Sequence, residues 1–227
     1  MSVLVFDLDG TLVDTIADLT ATLNAVLTGA GHPAVPVETM RVAAGQGARV
    51  MLREGLALSG TRLAEEEIDP LYTAFLAHYE AHIADFSRPF PGAVAAIEAL
   101  RAEGWRCAVC TNKLERLARP LLDALDLTRL FEAVVGGDTF QRAKPHAEPV
   151  LGAIARAGGA ARGSVMIGDS ATDINAARAA GLPVVAVDFG YTAIPVRDLG
   201  PDRIISHYDR LAEAVAAVSR GVAMGQN

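Results

Sequence analysis

The sequence predicts an α/β fold in which helices cover both faces of a parallel β-sheet. Short runs rich in β-branched residues alternate with longer Ala- and Leu-rich segments of helical period. This alternation is typical of a parallel α/β sheet. It stops between residues 15 and 88, where only helical patterns occur. We therefore expect a parallel-sheet core with an all-helical insertion.

Six short apolar runs predict the strands of the core. These runs are VLVF, CAVC, AVV, SVMI, VVAV and RII. The helices between them have recognisable ends: Gly104 closes GAVAAIEALRAE, and Gly181 closes SATDINAARAA, which Ser170 caps at its start. After each helix end, the chain is expected to turn and enter the next strand.

The helical insertion, defined as residues 15–88, contains helix-period patterns such as IADLTATLNAVL and IDPLYTAFLAHYEAH. Pro89 and Pro91 mark the return to the α/β pattern, which predicts a hinge there. We expect two domains: a catalytic core formed by residues 1–14 and 89–227, and a helical domain formed by residues 15–88.

Composition and charge exclude several classes of protein. The chain has 227 residues, of which 51% are hydrophobic, and a formal net charge of −7. It has enough apolar residues for a core that needs no metal or disulfide. The acidic balance argues against nucleic-acid binding, because phosphate-backbone binders usually carry a basic patch. No run is long and apolar enough for a membrane helix and no signal peptide is visible, so the expected location is the cytoplasm.

Cys107 and Cys110 form a C-x-x-C pattern, which also occurs in zinc sites and redox pairs. Both lie in the predicted strand CAVC. Residues three apart on a strand point to opposite faces and are about 10 Å apart along it, beyond disulfide reach. We therefore interpret both cysteines as thiols of the core.

Two carboxylates, Asp7 and Asp9, directly follow the first predicted strand in VLVFDLDGTLVD. The period of two turns both the same way, and Gly10 permits a tight turn beside them. Carboxylates so close repel each other unless a cation lies between them or one stays protonated. The pair indicates a divalent metal site, a nucleophile with an acid, or both. A capped Asp-Gly turn is the structural alternative.

Polar residues also follow two later parts of the predicted sheet. Thr111, Asn112 and Lys113 leave the strand CAVC together. Lys144 precedes Pro145, which predicts a helix start whose positive end attracts anions. Lys113 and Lys144 are the only lysines among 20 basic residues. A structural Thr and solvated lysines are the alternatives.

Asp169 and Asp173 follow the predicted strand SVMI. If a helix begins at Ser170, the two carboxylates lie about one turn apart and can face one ion. Acids in a first helical turn also stabilise the helix dipole, which is the structural alternative. Because open parallel sheets bind ligands at the carboxyl ends of their strands, all four groups of polar residues are expected to form one site.

The motifs DLDGTLVD, CTNK, AKP and GDSATD resemble the four motifs of the haloacid dehalogenase-like phosphatase superfamily, in the same order and with the same spacing. Similarity to the bacterial phosphoglycolate phosphatase branch extends through VAAGQGARVML, RPFPG, TNKLERLARPLLDAL, VVGGDTF and DFGYT. The resemblance implies a Rossmann-like core and an inserted helical cap domain. One departure is His146-Ala147, where the family commonly has Asp-Pro.

The resemblance also implies a reaction through an aspartyl-phosphate. Asp7 would be the nucleophile, and Asp9 the general acid and base. Mg²⁺ would be held by Asp7, the backbone carbonyl of Asp9 and Asp169. Asp173 would orient these ligands from behind. The residues that would hold the phosphate are Gly10, Thr111, Asn112 and Lys144.

The cap of this family closes over the cleft and excludes bulk water. The expected cap contacts are Gly45, Gln46 and Gly47, because glycines let backbone amides approach an anion closely. A plain turn between helices is the alternative. Arg41 and Arg49 are further candidates, because a guanidinium group can bind a substrate carboxylate in bidentate fashion.

The expected activity is Mg²⁺-dependent hydrolysis of a small phosphorylated metabolite, 2-phosphoglycolate, by a monomer or small homo-oligomer without a nucleic-acid or membrane partner. Asp9 argues against a dehalogenase, and the lack of Lys in residues 15–88 argues against phosphonate cleavage. A β-phosphoglucomutase-like sugar phosphomutase, a pyrophosphatase and an amino-sugar phosphate phosphatase remain alternatives. A phospho-receiver signalling module is disfavoured by the helical insertion and by Asp169.

Overall fold

A six-stranded parallel sheet forms the centre of the molecule in the computed structural model, which describes the backbone of residues 1–224 and the side chains of residues 1–219. The described residues contain eight strands, of which β2 and β3 pair separately from this sheet. They are β1 (Val3–Phe6), β2 (Val13–Asp14), β3 (Arg88–Pro89), β4 (Arg106–Cys110), β5 (Ala133–Val135), β6 (Val165–Gly168), β7 (Val184–Val187) and β8 (Arg203–Ile205). The sheet order is β5-β4-β1-β6-β7-β8, with every neighbouring pair parallel. All six strands predicted from apolar runs are therefore confirmed.

Nine helices lie within the described residues. They are α1 (Ile16–Gly29), α2 (Val37–Ala44), α3 (Ala48–Leu58), α4 (Glu65–Ala81), α5 (Ala93–Ala102), α6 (Glu115–Ala124), α7 (Ala147–Arg156), α8 (Ala171–Ala179) and α9 (Leu211–Met224). Gly104 and Gly181 follow α5 and α8 in the left-handed conformation, with φ of 96° and 70°, as expected of helix-ending glycines. No helix in residues 1–224 is both long and apolar enough to cross a bilayer.

One predicted helix start is wrong. Pro145 does not begin α7, which starts two residues later at Ala147. His146 is the N-cap, and its Nδ1 accepts a hydrogen bond from the backbone N–H of Glu148. The imidazole nitrogen thus satisfies an N–H of the first turn, as a capping carboxylate would. The departure from the family's Asp-Pro therefore keeps the helix cap.

The sheet separates two hydrophobic clusters, which confirms that helices cover both faces. One face packs against α5, α6 and α9, and the other packs against α7 and α8. Cys107 belongs to the first cluster and Cys110 to the second. Both thiols are buried and unbonded, and burial raises the pKa of each to about 12. The interpretation of the C-x-x-C pattern as core is consistent with this arrangement.

The helical insertion has a hydrophobic cluster of its own, formed by α1–α4 together with Leu117 and Tyr191 of the remaining chain. The chain enters and leaves it through the adjacent strands β2 and β3, which pair antiparallel. Beside them the buried carboxylate of Asp18 accepts hydrogen bonds from the backbone N–H groups of Phe86 and Ser87. The two connections are thereby tied together. A division into two domains at residues 14/15 and 88/89 stays a prediction.

Candidate active site

Three carboxylates meet at the carboxyl edge of the central strands. Asp7 directly follows β1, Asp169 directly follows β6, and Asp173 lies in the first turn of α8. Each offers an oxygen, and these oxygens lie within 4.8 Å of one another. The parallel topology produces this cluster, because β1 and β6 are neighbours and end at the same edge.

Lys144 lies beneath this cluster, with a side chain only 1% exposed. Its Nζ is 2.8 Å from Oδ1 of Asp7 and 2.6 Å from Oδ1 of Asp173. The side-chain amide of Asn112 holds the Lys144 backbone from both sides: Nδ2 donates to the Lys144 carbonyl and Oδ1 accepts from the Lys144 N–H, each at 3.0 Å. The backbone of Lys144 is therefore fixed at two points, which positions its side-chain ammonium.

These two hydrogen bonds limit how Asn112 can bind an anion. Its side-chain amide is already occupied by Lys144. Its backbone N–H, in contrast, donates no backbone hydrogen bond among the described residues. The backbone N–H is thus the group of Asn112 that is left for a phosphate oxygen, beside the hydroxyl of Thr111.

Two residues outside the predicted site fix Asp169. Thr11 donates from Oγ1 to Oδ1 at 2.9 Å, and the backbone N–H of Tyr191 donates to Oδ2 at 2.6 Å. Gly10 passes directly beside this carboxylate with φ of 79°, and a Cβ atom there would lie 2.7 Å from Oδ2. A glycine is therefore required both by the backbone conformation and by the space next to Asp169.

Burial and mutual repulsion make the carboxylate cluster electrostatically costly. Burial raises the pKa of Asp7 to about 6, against the opposing effect of the Lys144 charge. Burial, followed by repulsion from Asp173 and Asp7, raises the pKa of Asp169 to about 8. A bound cation would relieve both effects. Because every donor in the cluster is a carboxylate oxygen, the site suits a hard divalent cation.

Asp9 lies apart from this cluster and is paired with the second lysine. Nζ of Lys113 contacts both carboxylate oxygens, at 2.9 and 3.0 Å, and the hydroxyl of Thr15 donates to Oδ1 at 2.7 Å. The sequence places Lys113 among the polar residues after β4 but gives no sign of this partner. The pairing depends on the approach of two segments 104 residues apart.

A cavity of about 500 Å³ opens between the strand ends and the helical insertion. The core side of its lining includes Asp7, Asp9, Thr111, Asn112 and Asp169. Lys144 and Asp173 lie behind these residues and outside the lining. The insertion contributes Gly45, Gln46 and Gly47, so the predicted cap segment faces the same space as the predicted catalytic residues.

The two arginines considered for a substrate carboxylate are placed differently. Arg49 lines the cavity, but it stacks 4.3 Å from the ring centroid of Tyr72 and donates to Oδ1 of Asp69 at 2.7 Å. Arg41 lies outside the lining, 4.0 Å from Asp14. The structure therefore does not bring Arg41 to the predicted site.

Sequence reasoning also misses Tyr79 and Tyr191. Tyr191 is in the motif DFGYT, and its hydroxyl accepts hydrogen bonds from the backbone N–H groups of Thr15 and Ile16 at the start of α1. The motif DFGYT is the feature of the sequence that could have indicated Tyr191. Tyr79 is a buried residue of α4 that lines the cavity, and its position in a helix-period pattern gives no sign of this role.

Comparisons with known proteins agree with this geometry. A family model described as haloacid dehalogenase-like hydrolase matches residues 4–187. The chain is 48% identical over 221 residues to the phosphoglycolate phosphatase of Agrobacterium fabrum, covering 96% of this chain and 95% of the relative. It is 46% identical over 203 residues to the phosphoglycolate phosphatase of Caulobacter vibrioides, covering 89% and 86%.

A solved structure supports the same assignment. The crystal structure of a predicted phosphoglycolate phosphatase from Haemophilus somnus superposes with a TM-score of 0.86 at 30% identity, covering 94% of this chain and 97% of that one. The resemblance seen in the four sequence motifs is therefore confirmed. The chain belongs to the haloacid dehalogenase-like hydrolase family and is a phosphoric monoester hydrolase.

Proposed function

We propose that the protein is a Mg²⁺-dependent phosphatase that hydrolyses 2-phosphoglycolate to glycolate and phosphate through an aspartyl-phosphate at Asp7. The observation that carries the proposal is the contact of Asp7 with Nζ of Lys144 at 2.8 Å, beside a cavity that Asp9 also lines. The choice of substrate is supported by the relatives named phosphoglycolate phosphatase.

In the first step a carboxylate oxygen of Asp7 attacks phosphorus, and the bond from phosphorus to the ester oxygen breaks in line with it. Asp9 gives a proton to that oxygen, so glycolate leaves as an alcohol. Lys144, the Thr111 hydroxyl and the Asn112 backbone N–H stabilise the charge on the transferring group.

In the second step water attacks the phosphorus of the aspartyl-phosphate, and the bond to the Asp7 oxygen breaks. Asp9 accepts the proton of the attacking water, which returns it to the form that begins the next cycle. The orientation of Asp9 toward this task is supported by its hydrogen bonds from Lys113 and Thr15.

Mg²⁺ would be held by the carboxylates of Asp7 and Asp169 and by the backbone carbonyl of Asp9. When bound, the ion supplies positive charge that neutralises the phosphoryl oxygens. Asp173 would keep this arrangement in place, because its carboxylate accepts hydrogen bonds from the N–H and hydroxyl of Ser170 and pairs with Lys144.

The helical insertion would act as the cap. Its segment Gly45 to Gly47 lines the cavity opposite the carboxylates, and a Cβ atom at Gly45 would lie 2.7 Å from the carbonyl oxygen of Tyr191. The segment therefore packs directly on the core. In this position it would shield the aspartyl-phosphate from bulk water.

The test of the nucleophile is the variant Asp7→Asn. We expect phosphate release to fall by about 10⁴-fold or more, because an amide cannot attack phosphorus as a carboxylate does. Acid-quenched wild type should carry a phosphoryl group by intact mass, whereas the variant should not. Asp198→Asn, at an exposed carboxylate, is the matched control. Wild-type turnover by Asp7→Asn would refute the mechanism.

The substrate is tested by comparing kcat/KM for 2-phosphoglycolate, pyrophosphate, a hexose phosphate and an amino-sugar phosphate in the presence of Mg²⁺. We expect the highest value for 2-phosphoglycolate. A higher value for any of the other three would assign the protein to the corresponding alternative and would overturn the proposed substrate.

A further inference from the structure

The hydroxyl of Tyr79 is a hydrogen-bond donor without an acceptor in the cavity wall. Tyr79 is 1% exposed, and among the described residues only the ammonium of Lys113, which is itself a donor, approaches its hydroxyl. A buried donor normally has a partner, because leaving it unpaired is unfavourable. An unpaired hydroxyl in the wall of a substrate cavity indicates that a group of the ligand accepts its hydrogen bond.

Lys113 lies directly beside this hydroxyl. Its Nζ is 4.5 Å from the centroid of the Tyr79 ring, and its side chain is 6% exposed. An ammonium group has three N–H donors. Two are accounted for by the oxygens of Asp9, and the Tyr79 hydroxyl takes the third. The two residues together offer the O–H donor of Tyr79 and one positive charge.

The position of Asp9 relates this pair of donors to the substrate. Asp9 must contact the ester oxygen in order to protonate it. In 2-phosphoglycolate a single methylene group separates that oxygen from the carboxylate. A group that contacts Asp9 is therefore close to the carboxylate of a bound substrate, and Lys113 contacts both oxygens of Asp9.

The rest of the lining favours a small acid over a polyhydroxylated leaving group. Arg49, the other cation of the described lining, already has Tyr72 and Asp69 as partners. Much of the remaining wall is apolar and offers no partners for sugar hydroxyls. These apolar residues are Leu19, Met51, Phe75, Leu76, Leu114 and Leu117.

Resting on the proposed function, we propose that Lys113 and Tyr79 form the subsite for the substrate carboxylate and are the residues that determine specificity. The hydroxyl of Tyr79 donates to a carboxylate oxygen of a short phosphorylated 2-hydroxy acid, and the ammonium of Lys113 supplies the positive charge beside it. Because Lys113 is in the core and Tyr79 is in α4, the substrate carboxylate also joins the helical insertion to the core.

The test compares two substrates of similar size, 2-phosphoglycolate and 2-hydroxyethyl phosphate, which lacks the carboxylate. Tyr79→Phe removes only the hydroxyl. We expect it to lower the ratio of the two kcat/KM values by about tenfold, since a hydrogen bond to a charged group is lost on one substrate only. Lys113→Met should lower the ratio by about 100-fold and should also slow both substrates, because Asp9 loses its partner.

Arg49→Met is the matched control, because it removes the other cation of the cavity and should leave the ratio unchanged. If Arg49→Met lowers the ratio to near one while Tyr79→Phe and Lys113→Met leave it unchanged, the subsite is wrong. A high wild-type ratio that survives in both subsite variants overturns the subsite but not the proposed function. A wild-type ratio near one also overturns the subsite, and the comparison of 2-phosphoglycolate with pyrophosphate and the sugar phosphates then decides the proposed function. Thermal melts of each variant establish that it is folded.

Discussion

The two lysines of the chain occupy contrasting regions of one cleft. Lys144 is held by the core alone, through Asp7, Asp173 and the amide of Asn112. Lys113 lies where the core meets the helical insertion, between Asp9 and the ring of Tyr79. In our proposals the first lysine serves phosphoryl transfer, and the second serves substrate choice as well as the orientation of Asp9. The comparison teaches that phosphoryl transfer can be changed at Lys144 without changing substrate choice, because only Lys113 contacts a residue of the helical insertion.

The strongest test of this separation is Lys144→Met. We expect kcat/KM to fall by about 10³-fold for every phosphomonoester, because the lost charge stabilises the transferring group and not the leaving group. The measurement is phosphate release from 2-phosphoglycolate and 2-hydroxyethyl phosphate. A loss confined to one of the two substrates would contradict the division between the lysines.

Asp9→Asn should have the next largest effect, and its size should depend on the leaving group. We expect a loss of about 10²- to 10³-fold for alkyl phosphates, whose leaving oxygen needs a proton. For p-nitrophenyl phosphate the loss in the first step should be much smaller, because that leaving group is stable as an anion. Burst kinetics separate this step from hydrolysis of the aspartyl-phosphate. Equal losses for both classes in the first step would remove Asp9 as the general acid.

The raised pKa values of Asp7 and Asp169 predict how the metal-free protein responds to pH. Between pH 4 and about 8 the folded state holds protons that the unfolded state releases, so stability should fall as pH rises. The expected slope is about 1 kcal/mol per pH unit for each extra proton. Above about pH 8 these two groups should contribute no further loss.

Thermal melts in EDTA and in Mg²⁺ from pH 5 to 9 measure this effect. Mg²⁺ favours the ionised carboxylates, so the rise in Tm on adding the ion should grow with pH. Asp169→Asn should flatten the slope in EDTA. A metal-free wild type whose stability rises steadily across this range would show that the cluster is not strained by its own charge.

Tyr191→Phe should give the smallest effect, and this effect should be on the stability of the fold. The variant removes the acceptor of the Thr15 and Ile16 backbone N–H groups but keeps the Tyr191 N–H that holds Asp169. We expect a loss of about 1–3 kcal/mol in the free energy of unfolding. Denaturant titration measures this loss. A large change in the substrate ratio instead would extend the specificity-determining region to the start of α1.

Local sequence patterns predict the sheet and most of the residues at its edge. Each strand follows from a short apolar run, and Asp7, Thr111 and Asp169 directly follow strands that the topology makes neighbours. Their roles in the reaction remain predictions. The predicted start of α7 is wrong because His146, a residue type with no strong preference for capping, is the N-cap of this helix.

The contacts that the sequence does not reveal join segments far apart in the chain. Lys113 and Asp9 are 104 residues apart, and Thr15 and Tyr191 are 176 apart. No periodicity specifies such partners, because they come together only in the folded arrangement of the whole chain. Tyr79 is the clearest example: its spacing in α4 is that of an ordinary buried aromatic residue.

The burial of Cys107 and Cys110 on opposite faces of the sheet has a practical consequence. Both thiols are shielded by hydrophobic clusters, and these are the only two cysteines of the chain. Native protein should therefore resist maleimide reagents, since the reactive thiolate is scarce in both. A single cysteine introduced at an exposed position of α3 would then accept a fluorophore selectively, so that any movement of the helical insertion against the core could be followed in solution without first replacing any native residue.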